Sequence, residues 1–156
     1  MNKYKAIGVM SGTSLDGLDI AYAEFSFNGQ DWSYSFGEYE EVSYDKEWQN
    51  RLSNLSKSSA LEFVKTHVEF GHFMGEKIHS FIRKNHIEVD VIGVHGHTVF
   101  HQPEFGFTSQ IGDGSAVASQ TGKMVACDFR SMDVARGGQG APLVPLFHAS
   151  QFGTEG

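Results

Sequence analysis

Apolar residues from Tyr4 to Met10 form a short run ending in small polar residues, and a second run from Leu18 to Phe27 alternates in places. Both predict strands. Asn28-Gly29 follows, a pair that tolerates positive φ and marks a tight hairpin, and beyond it Trp32, Tyr34 and Phe36 alternate strictly. The pattern predicts three antiparallel strands, with the aromatic alternation as one buried face of the sheet. A carbohydrate platform is the rival reading of those rings.

The period then changes. Trp48, Leu52 and Leu55 stand at helical spacing in the segment Tyr44 to Leu55, with Ser43 available as a cap. Ser59 and Glu62 fit a capping box, and Phe63, His67, Phe70, Met74, Ile78, Phe81 and Ile82 trace one apolar stripe over several turns. His72, His79 and His86 recur on the same helix and read as a partly solvated flank. Asp90 to Val94 predicts a strand entering His95-Gly96, and Phe107 to Ile111 another, reached through a loop at Pro103 and Gly106. Asp113 can cap a helix through Gln120, Gly122 can end it, and Met124 to Cys127 supplies a further buried strand with Asp128 at its end. Gly137, Gly138 and Gly140 predict a flexible connection before Pro142 and Pro145, after which Leu146 to Phe152 begins a helix. The fold class is α/β: a three-stranded antiparallel meander followed by β/α units in one mixed sheet with flanking helices, as a single domain over residues 1–156.

Composition narrows what such a domain binds. Nineteen acidic against twelve basic side chains give a formal charge of −7, the wrong sign for holding a nucleic acid through bulk electrostatics. Any phosphate must be held locally, by backbone N–H groups or a bound cation. Cys127 is the one cysteine, so no internal disulfide forms. With no charged leader and no apolar run near the roughly 20 residues of a membrane helix, the expectation is a soluble protein of a reducing cytoplasm, away from membranes.

The stretch Met10-Ser11-Gly12-Thr13-Ser14-Leu15-Asp16-Gly17-Leu18-Asp19, between two predicted strands, is richer than a simple turn. Gly12 and Gly17 permit close backbone approach, Thr13 and Ser14 add hydroxyl donors, and successive N–H groups can form an anion-binding nest. Asp16 and Asp19 cannot attract phosphate directly, but either can hold Mg²⁺ or its waters and so join carboxylate to nucleotide. The same string also reads as a hairpin loop whose Ser, Thr and Asp side chains bond their own backbone. A Walker loop is excluded, because no Gly-Lys-Ser/Thr follows and the loop joins strand to strand.

From Gly8 to Asp19 the chain resembles the opening of the anhydro-N-acetylmuramic acid kinases. Gly93-Val94-His95-Gly96-His97-Thr98-Val99 resembles the family's second motif. Gln102-Pro103, Gln110-Ile111-Gly112, Asp128-Phe129-Arg130 and Gly137-Gly138-Gln139-Gly140-Ala141-Pro142-Leu143-Val144-Pro145 follow in order. The family usually has Gln where this chain has His97.

The resemblance implies the actin-like, sugar-kinase and Hsp70 class of ATPase folds, with two ribonuclease-H-like lobes around a cleft, of which this chain corresponds to the first. It implies ATP and Mg²⁺ as cofactors and phosphorylation of the 6-hydroxyl of 1,6-anhydro-N-acetylmuramic acid while water opens the anhydro ring. The product is N-acetylmuramic acid 6-phosphate, in cell-wall recycling. The implied nucleotide residues are Gly12, Thr13, Ser14, Asp16, Gly17 and Asp19, with Mg²⁺ near Asp16. The implied sugar residues are His95, Thr98, Asp128 and Arg130. The family's carboxylate base lies in a Gly-Pro-Gly-containing segment after the Gly-Gln-Gly-Ala-Pro motif, and is expected beyond Gly156. No catalytic residue is therefore assigned within residues 1–156, and inactivity of the chain alone is expected.

Rival readings stay open at several positions. Asp128 and Arg130, just past a predicted parallel strand, suit ligand contact or a buried ion pair. Gly137 to Gly140 suits a second set of backbone donors or a connector, with Gln139 as a further sugar contact. His95, His97 and His101 suit a metal-dependent hydrolase. A catalytically inactive nucleotide- or sugar-binding module, and a homodimer through apolar surface, complete the alternatives.

Overall fold

A computed structural model describes residues 2–143. Its elements are β1 (Asn2–Ser11), β2 (Gly17–Phe27), β3 (Trp32–Ser43), α1 (Lys46–Asn54), α2 (Ala60–Asn85), β4 (Val91–Gln102), β5 (Phe107–Ile111), α3 (Gly114–Thr121), β6 (Met124–Cys127) and α4 (Ser131–Ala135). The sheet runs β3-β2-β1-β4-β5, and β6 also pairs with β4. The meander is antiparallel, whereas β4 lies parallel to β1 and β6 parallel to β4. This is the predicted mixed α/β sheet.

Register explains which residues are inside. Ile7 sits opposite Tyr22, Val9 opposite Ile20 and Ser11 opposite Leu18, while Ile7 and Val9 pair with Ile92 and Val94. Period two therefore places these side chains on one face, where all are buried. Period 3.6 on α2 supplies the cover: Phe70, Met74, Ile78 and Phe81 stand at most 2% exposed against that face. Each such side chain contributes on the order of 2 kcal/mol on leaving water.

Ser59 caps α2, its Oγ accepting from Glu62 N at 3.1 Å. Only half of the predicted capping box forms, because Glu62 turns its carboxylate to Thr66 and Arg51. His86 ends the helix in the left-handed region, at φ 52°. Asp113 caps α3 and Gly122 ends it, as the sequence predicts.

Several expectations are corrected. Asp45, not Ser43, caps α1, accepting from Trp48 N at 2.8 Å; Tyr44 lies outside the helix, buried. The β2–β3 turn is wider than two residues: Asn28 N donates to Asp31 O, and Asn28 Oδ1 accepts from Gln30 N and Asp31 N. The aromatic alternation is not a buried face, for Trp32 is 48% and Phe36 74% exposed. Helices α1 and α2 pack on the opposite side of the sheet, so ring contacts such as Tyr4–Trp32 and Tyr34–Phe36 form a surface layer. β6 is exposed at Met124 and Cys127, being an outer strand four residues long. The connection after α4 is tied down, because Asp133 Oδ2 accepts from Gly140 N at 2.7 Å. The helix predicted from Leu146 lies outside the described residues.

A fork in the sheet positions the site. The first half of β4 pairs with β6, up to Val94 opposite Cys127, and the second half pairs with β5 from His97 onward. Gly96 makes the switch, at φ 74°, where a Cβ would collide with the Ile111 carbonyl. Among the described residues no helix is long and apolar enough to cross a membrane.

Candidate functional site

β1, β4 and β6 run parallel, so the C-terminal ends of β1 at Ser11 and of β6 at Cys127 flank β4 where its parallel pairing stops, between Val94 and His97. Open α/β sheets bind ligands outside such ends, where strands stop and loops begin. Two cavities lie there.

The first, of about 260 Å³, is lined by Met10 to Thr13, His95, Thr98, His101, Arg130 and Ala141. It brings together Gly12 and Thr13 of the predicted phosphate loop with His95, Thr98 and Arg130 of the predicted sugar set. The second, of about 280 Å³, fills the fork and is lined by residues of β5, the α3 N-terminus, His67, Cys127, Asp128 and Ser131. His95 forms a wall of both cavities.

The loop after β1 closes as a turn, with Leu15 N donating to Gly12 O and Leu15 held at φ 60°. Asp16 staples it: Oδ1 accepts from Ser14 Oγ at 2.8 Å and from Gly17 N at 3.0 Å. These bonds, the Ser14 hydroxyl first, hold the Asp16 carboxyl below the ordinary carboxylate range. The hairpin reading is thus present in the geometry. It is compatible with cation binding, because both recorded bonds fall on one oxygen of an exposed, ionised carboxylate.

Ser14, Asp16, Gly17 and Asp19 lie outside the lining of the first cavity. Gly17 has a structural reason of its own, since a Cβ there would come within 2.7 Å of the Val42 carbonyl across the sheet. Asp19 sits in β2 opposite Met10, exposed.

Arg130 is built into the wall. Its Nε donates to His95 Nε2 at 2.9 Å and its Nη1 to Gly140 O at 2.5 Å. His95 Nδ1 lies 2.9 Å from Gly96 O, so Nδ1 carries the proton and Nε2 accepts. Burial pushes the His95 pKa down, and the adjacent guanidinium adds to it against the Gly96 bond.

Asp128 faces the other cavity at φ 58° and accepts from Ser131 Oγ at 2.5 Å. The buried Asp128–Arg130 ion pair is therefore corrected: Asp128 is exposed, and the guanidinium hydrogen-bonds to an imidazole and a carbonyl. The catalytic base expected beyond Gly156 lies outside the described residues, as does Gly156 itself. Asp133, the other carboxylate of this segment, is engaged with Gly140 N and does not line the first cavity.

His97 diverges from His95. The bulge at Gly96 turns it toward α2, where its ring meets Phe70 edge-on at 6.5 Å and its Nδ1 lies 3.0 Å from Ser11 Oγ. His101 Nδ1 lies 3.1 Å from Thr108 Oγ1. Three imidazoles with three separate sets of partners do not converge, which corrects the metal-dependent hydrolase reading; among the described residues no cluster of three His, Cys, Asp or Glu side chains suits a metal. His72, His79 and His86 are exposed on the α2 flank, as expected.

Sequence reasoning missed three participants. Tyr44 donates its hydroxyl to Ser11 Oγ at 2.8 Å, although its position beside a helical pattern offered no sign of this. His67 accepts from Gly112 N at 3.1 Å and was absorbed into the apolar stripe of α2. Gln110 lines the second cavity with Oε1 buried and unpartnered among the described residues; its place in a quoted motif was the available signal.

Comparison with known proteins bears on this geometry. The family model described as anhydro-N-acetylmuramic acid kinase matches residues 4–156. The chain is 42% identical to a protein of that name from Paramagnetospirillum magneticum, over 92% of this chain and 40% of the relative. It is 40% identical to one from Vibrio cholerae, over 96% of this chain and 41% of the relative. A third, from Methylorubrum populi, is 37% identical over 95% of this chain and 44% of the relative. The chain thus spans about four-tenths of the length of these curated relatives.

Proposed function

Because the chain belongs to the anhydro-N-acetylmuramic acid kinase family, we propose that it supplies the phosphate-side and part of the sugar-side wall for ATP-dependent phosphorylation of 1,6-anhydro-N-acetylmuramic acid. In this reading water opens the anhydro ring as the phosphoryl group moves, giving N-acetylmuramic acid 6-phosphate for peptidoglycan recycling and amino sugar metabolism in the cytoplasm. One observation carries it: Gly12 and Thr13 share a single cavity with His95, Thr98 and Arg130 at the C-terminal ends of parallel strands.

The residues act by binding and orientation. Backbone N–H groups of the Gly12–Ser14 turn suit phosphate oxygens without needing a favourable overall charge. Asp16, kept ionised by Ser14 and Gly17, suits Mg²⁺ or its water shell. Mg²⁺, when bound, neutralises charge developing on the phosphate oxygens. Thr98 offers a hydroxyl to the sugar, and Arg130, fixed by His95 and Gly140, presents a cation to an anionic or hydroxyl group. Among the described residues no carboxylate lines this cavity, so proton abstraction from water is assigned to none of them.

That same observation favours a second reading, a nucleotide- or sugar-binding module without turnover. A coupled assay with ATP, Mg²⁺ and the anhydro sugar separates them when run on this chain and on a version extended to the length of its relatives, beside titration of each ligand. Turnover by the extended version supports the kinase reading, and turnover by this chain alone places a base outside the lining above. Binding of both ligands without turnover in either version supports the module. Binding of neither overturns both.

A further inference from the structure

Tyr44, Ser11 and His97 form a buried chain of hydrogen bonds at the root of the loop between β1 and β2. Ser11 is 2%, His97 4% and Tyr44 5% exposed. Tyr44 OH donates to Ser11 Oγ at 2.8 Å, and Ser11 Oγ lies 3.0 Å from His97 Nδ1. Burial pushes the Tyr44 hydroxyl up to about 12, so it stays protonated and remains a donor. Ser11 has one proton, and with Tyr44 already donating to its oxygen, that proton goes to His97. In this arrangement His97 Nδ1 is the unprotonated acceptor; the rival is an Nδ1–H tautomer donating to the second lone pair of Ser11 Oγ, and the test below distinguishes the two. Three further bonds extend the connection, since Tyr44 N donates to Asp16 O at the far end of the same loop and Asp16 Oδ1 accepts from Ser14 Oγ and Gly17 N.

We propose that His97 is a positioning residue for the loop Ser11–Gly17, and that its unprotonated Nδ1, by taking the Ser11 proton, latches the loop to β4 and Tyr44 in a contact that acid opens. A proton on Nδ1 would leave two donors aimed at one hydroxyl oxygen and leave the Ser11 O–H without its acceptor. Ser11 lines the cavity of Gly12 and Arg130, so the released hydroxyl would have to turn toward the ligand space.

The surroundings favour the unprotonated ring. α2 presents Phe70 and β5 presents Ile111 opposite His97, neither titratable. The segment before α1 presents Tyr44, which stays neutral, and β4 itself presents His95. Burial first, and repulsion by His95 second, push His97 below the ordinary imidazole range. The closed loop therefore prefers the neutral ring: its latch is fully present above the ordinary His pKa and is lost as pH falls through the depressed one. The consequence for phosphate binding rests on the function proposed above, whereas the latch itself does not.

The test is amide hydrogen exchange of residues 12–17 in the full chain without nucleotide, from about pH 8 to about pH 5, corrected for intrinsic exchange and read beside the His97 ring nitrogens by NMR. The wild type should show Nε2–H imidazole at neutral pH and loop exchange accelerating severalfold in step with His97 protonation. His97→Gln, whose amide oxygen accepts without titrating, should keep the loop protected and abolish the acceleration. Ser11→Ala should exchange fast at every pH. An Nδ1–H tautomer in the neutral protein, loop exchange that ignores His97 titration, or unchanged acid opening in His97→Gln would overturn the latch. Should the variants fail to fold, the wild-type titration alone decides. Mg²⁺–ATP titration at neutral pH reports separately on the phosphate reading, so either can fail without the other.

Discussion

Arg130 donates through Nε to His95 Nε2 across 2.9 Å while also donating to Gly140 O. One guanidinium thereby fixes an imidazole on β4 and the backbone after α4, on two sides of the same cavity. Because His95 Nδ1 is satisfied by Gly96 O at 2.9 Å, Nε2 has no proton to spare and accepts from Arg130.

Replacing Arg130 by Met should raise the His95 pKa toward the ordinary value. Burial depresses it most, but the guanidinium charge is the part a substitution can remove. The His95 ring signal followed by NMR against pH checks this. The same variant should weaken binding of the anhydro sugar by about tenfold, the worth of one charge-assisted hydrogen bond. A depressed pKa that stayed unchanged in Arg130→Met would leave burial as its sole cause.

Stability should fall in mild acid. His95 and His97 both have depressed pKa values in the fold, so the unfolded chain binds more protons once pH drops below about 6.5. Their contribution is whole above that value and lost as pH falls through the folded-state values. The thermal midpoint measured at about pH 8, pH 6.5 and pH 5 should decline over the lower interval. Asp16, Glu69 and Glu88 are also depressed, but carboxylates act in a lower window, below about pH 4.5. A midpoint flat down to about pH 5 would show that neither imidazole is held neutral.

Asp16→Asn should weaken Mg²⁺–ATP binding by about tenfold while leaving the thermal midpoint nearly unchanged. The amide keeps an oxygen for the Ser14 and Gly17 donors, so the loop retains its staple and loses only charge. Isothermal titration with and without Mg²⁺ distinguishes a cation role from a backbone one. Equal weakening in both conditions would remove the cation from the assignment.

Much of this arrangement was legible in the chain because it depends on local period and local turn chemistry. The β1–β2 loop, the stripe of α2 and the caps at Ser59, Asp113 and Gly122 are all decided within a few residues of themselves. The aromatic alternation misled because period two reports two faces but not which of them a helix will cover; here α1 and α2 pack on the side of Ile7, Val9 and Ile20. The pairing of Tyr44 with Ser11 and of Ser11 with His97 spans 33 and 86 residues, and no local signal encodes it. The fork at Gly96 was hidden for the same reason, since it depends on which strand β4 meets on either side of one glycine.

Gly71→Ala on α2 should destabilise the fold even though Ala is the better helix former. A Cβ at Gly71 would lie 2.6 Å from Asp113 O, 2.8 Å from Asp113 N and 2.9 Å from the Ala116 Cβ. Two of these are backbone atoms at the α3 cap and cannot rotate away. Helix propensity favours Ala by about 1 kcal/mol, whereas overpacking costs about 1–3 kcal/mol, and the unyielding neighbours put this site at the upper end. Urea unfolding should show the loss, with Gly122→Ala as a comparison whose cost arises instead from its φ of 65° with nothing near its Cβ. A stabilised Gly71→Ala protein would mean that α3 can slide, and with it Asp113 and the floor of the second cavity.

Phe36→Lys should reduce self-association at little cost in stability. Phe36 stands 74% exposed on β3, the outer strand of the meander, beside Tyr34 at 5.2 Å between ring centroids. Trp32, Tyr4 and Phe27 continue the same layer, with centroids 5.0 to 5.7 Å apart. An apolar layer on an outer strand favours contact with another copy, both through its rings and through the outer edge of that strand. Lysine places a charge in that layer without touching the face covered by α2, so unfolding free energy should stay within about 0.5 kcal/mol. Light scattering across a concentration series should show a lower apparent mass for the variant. Identical masses would locate any association elsewhere and leave the aromatic layer as solvent-facing surface.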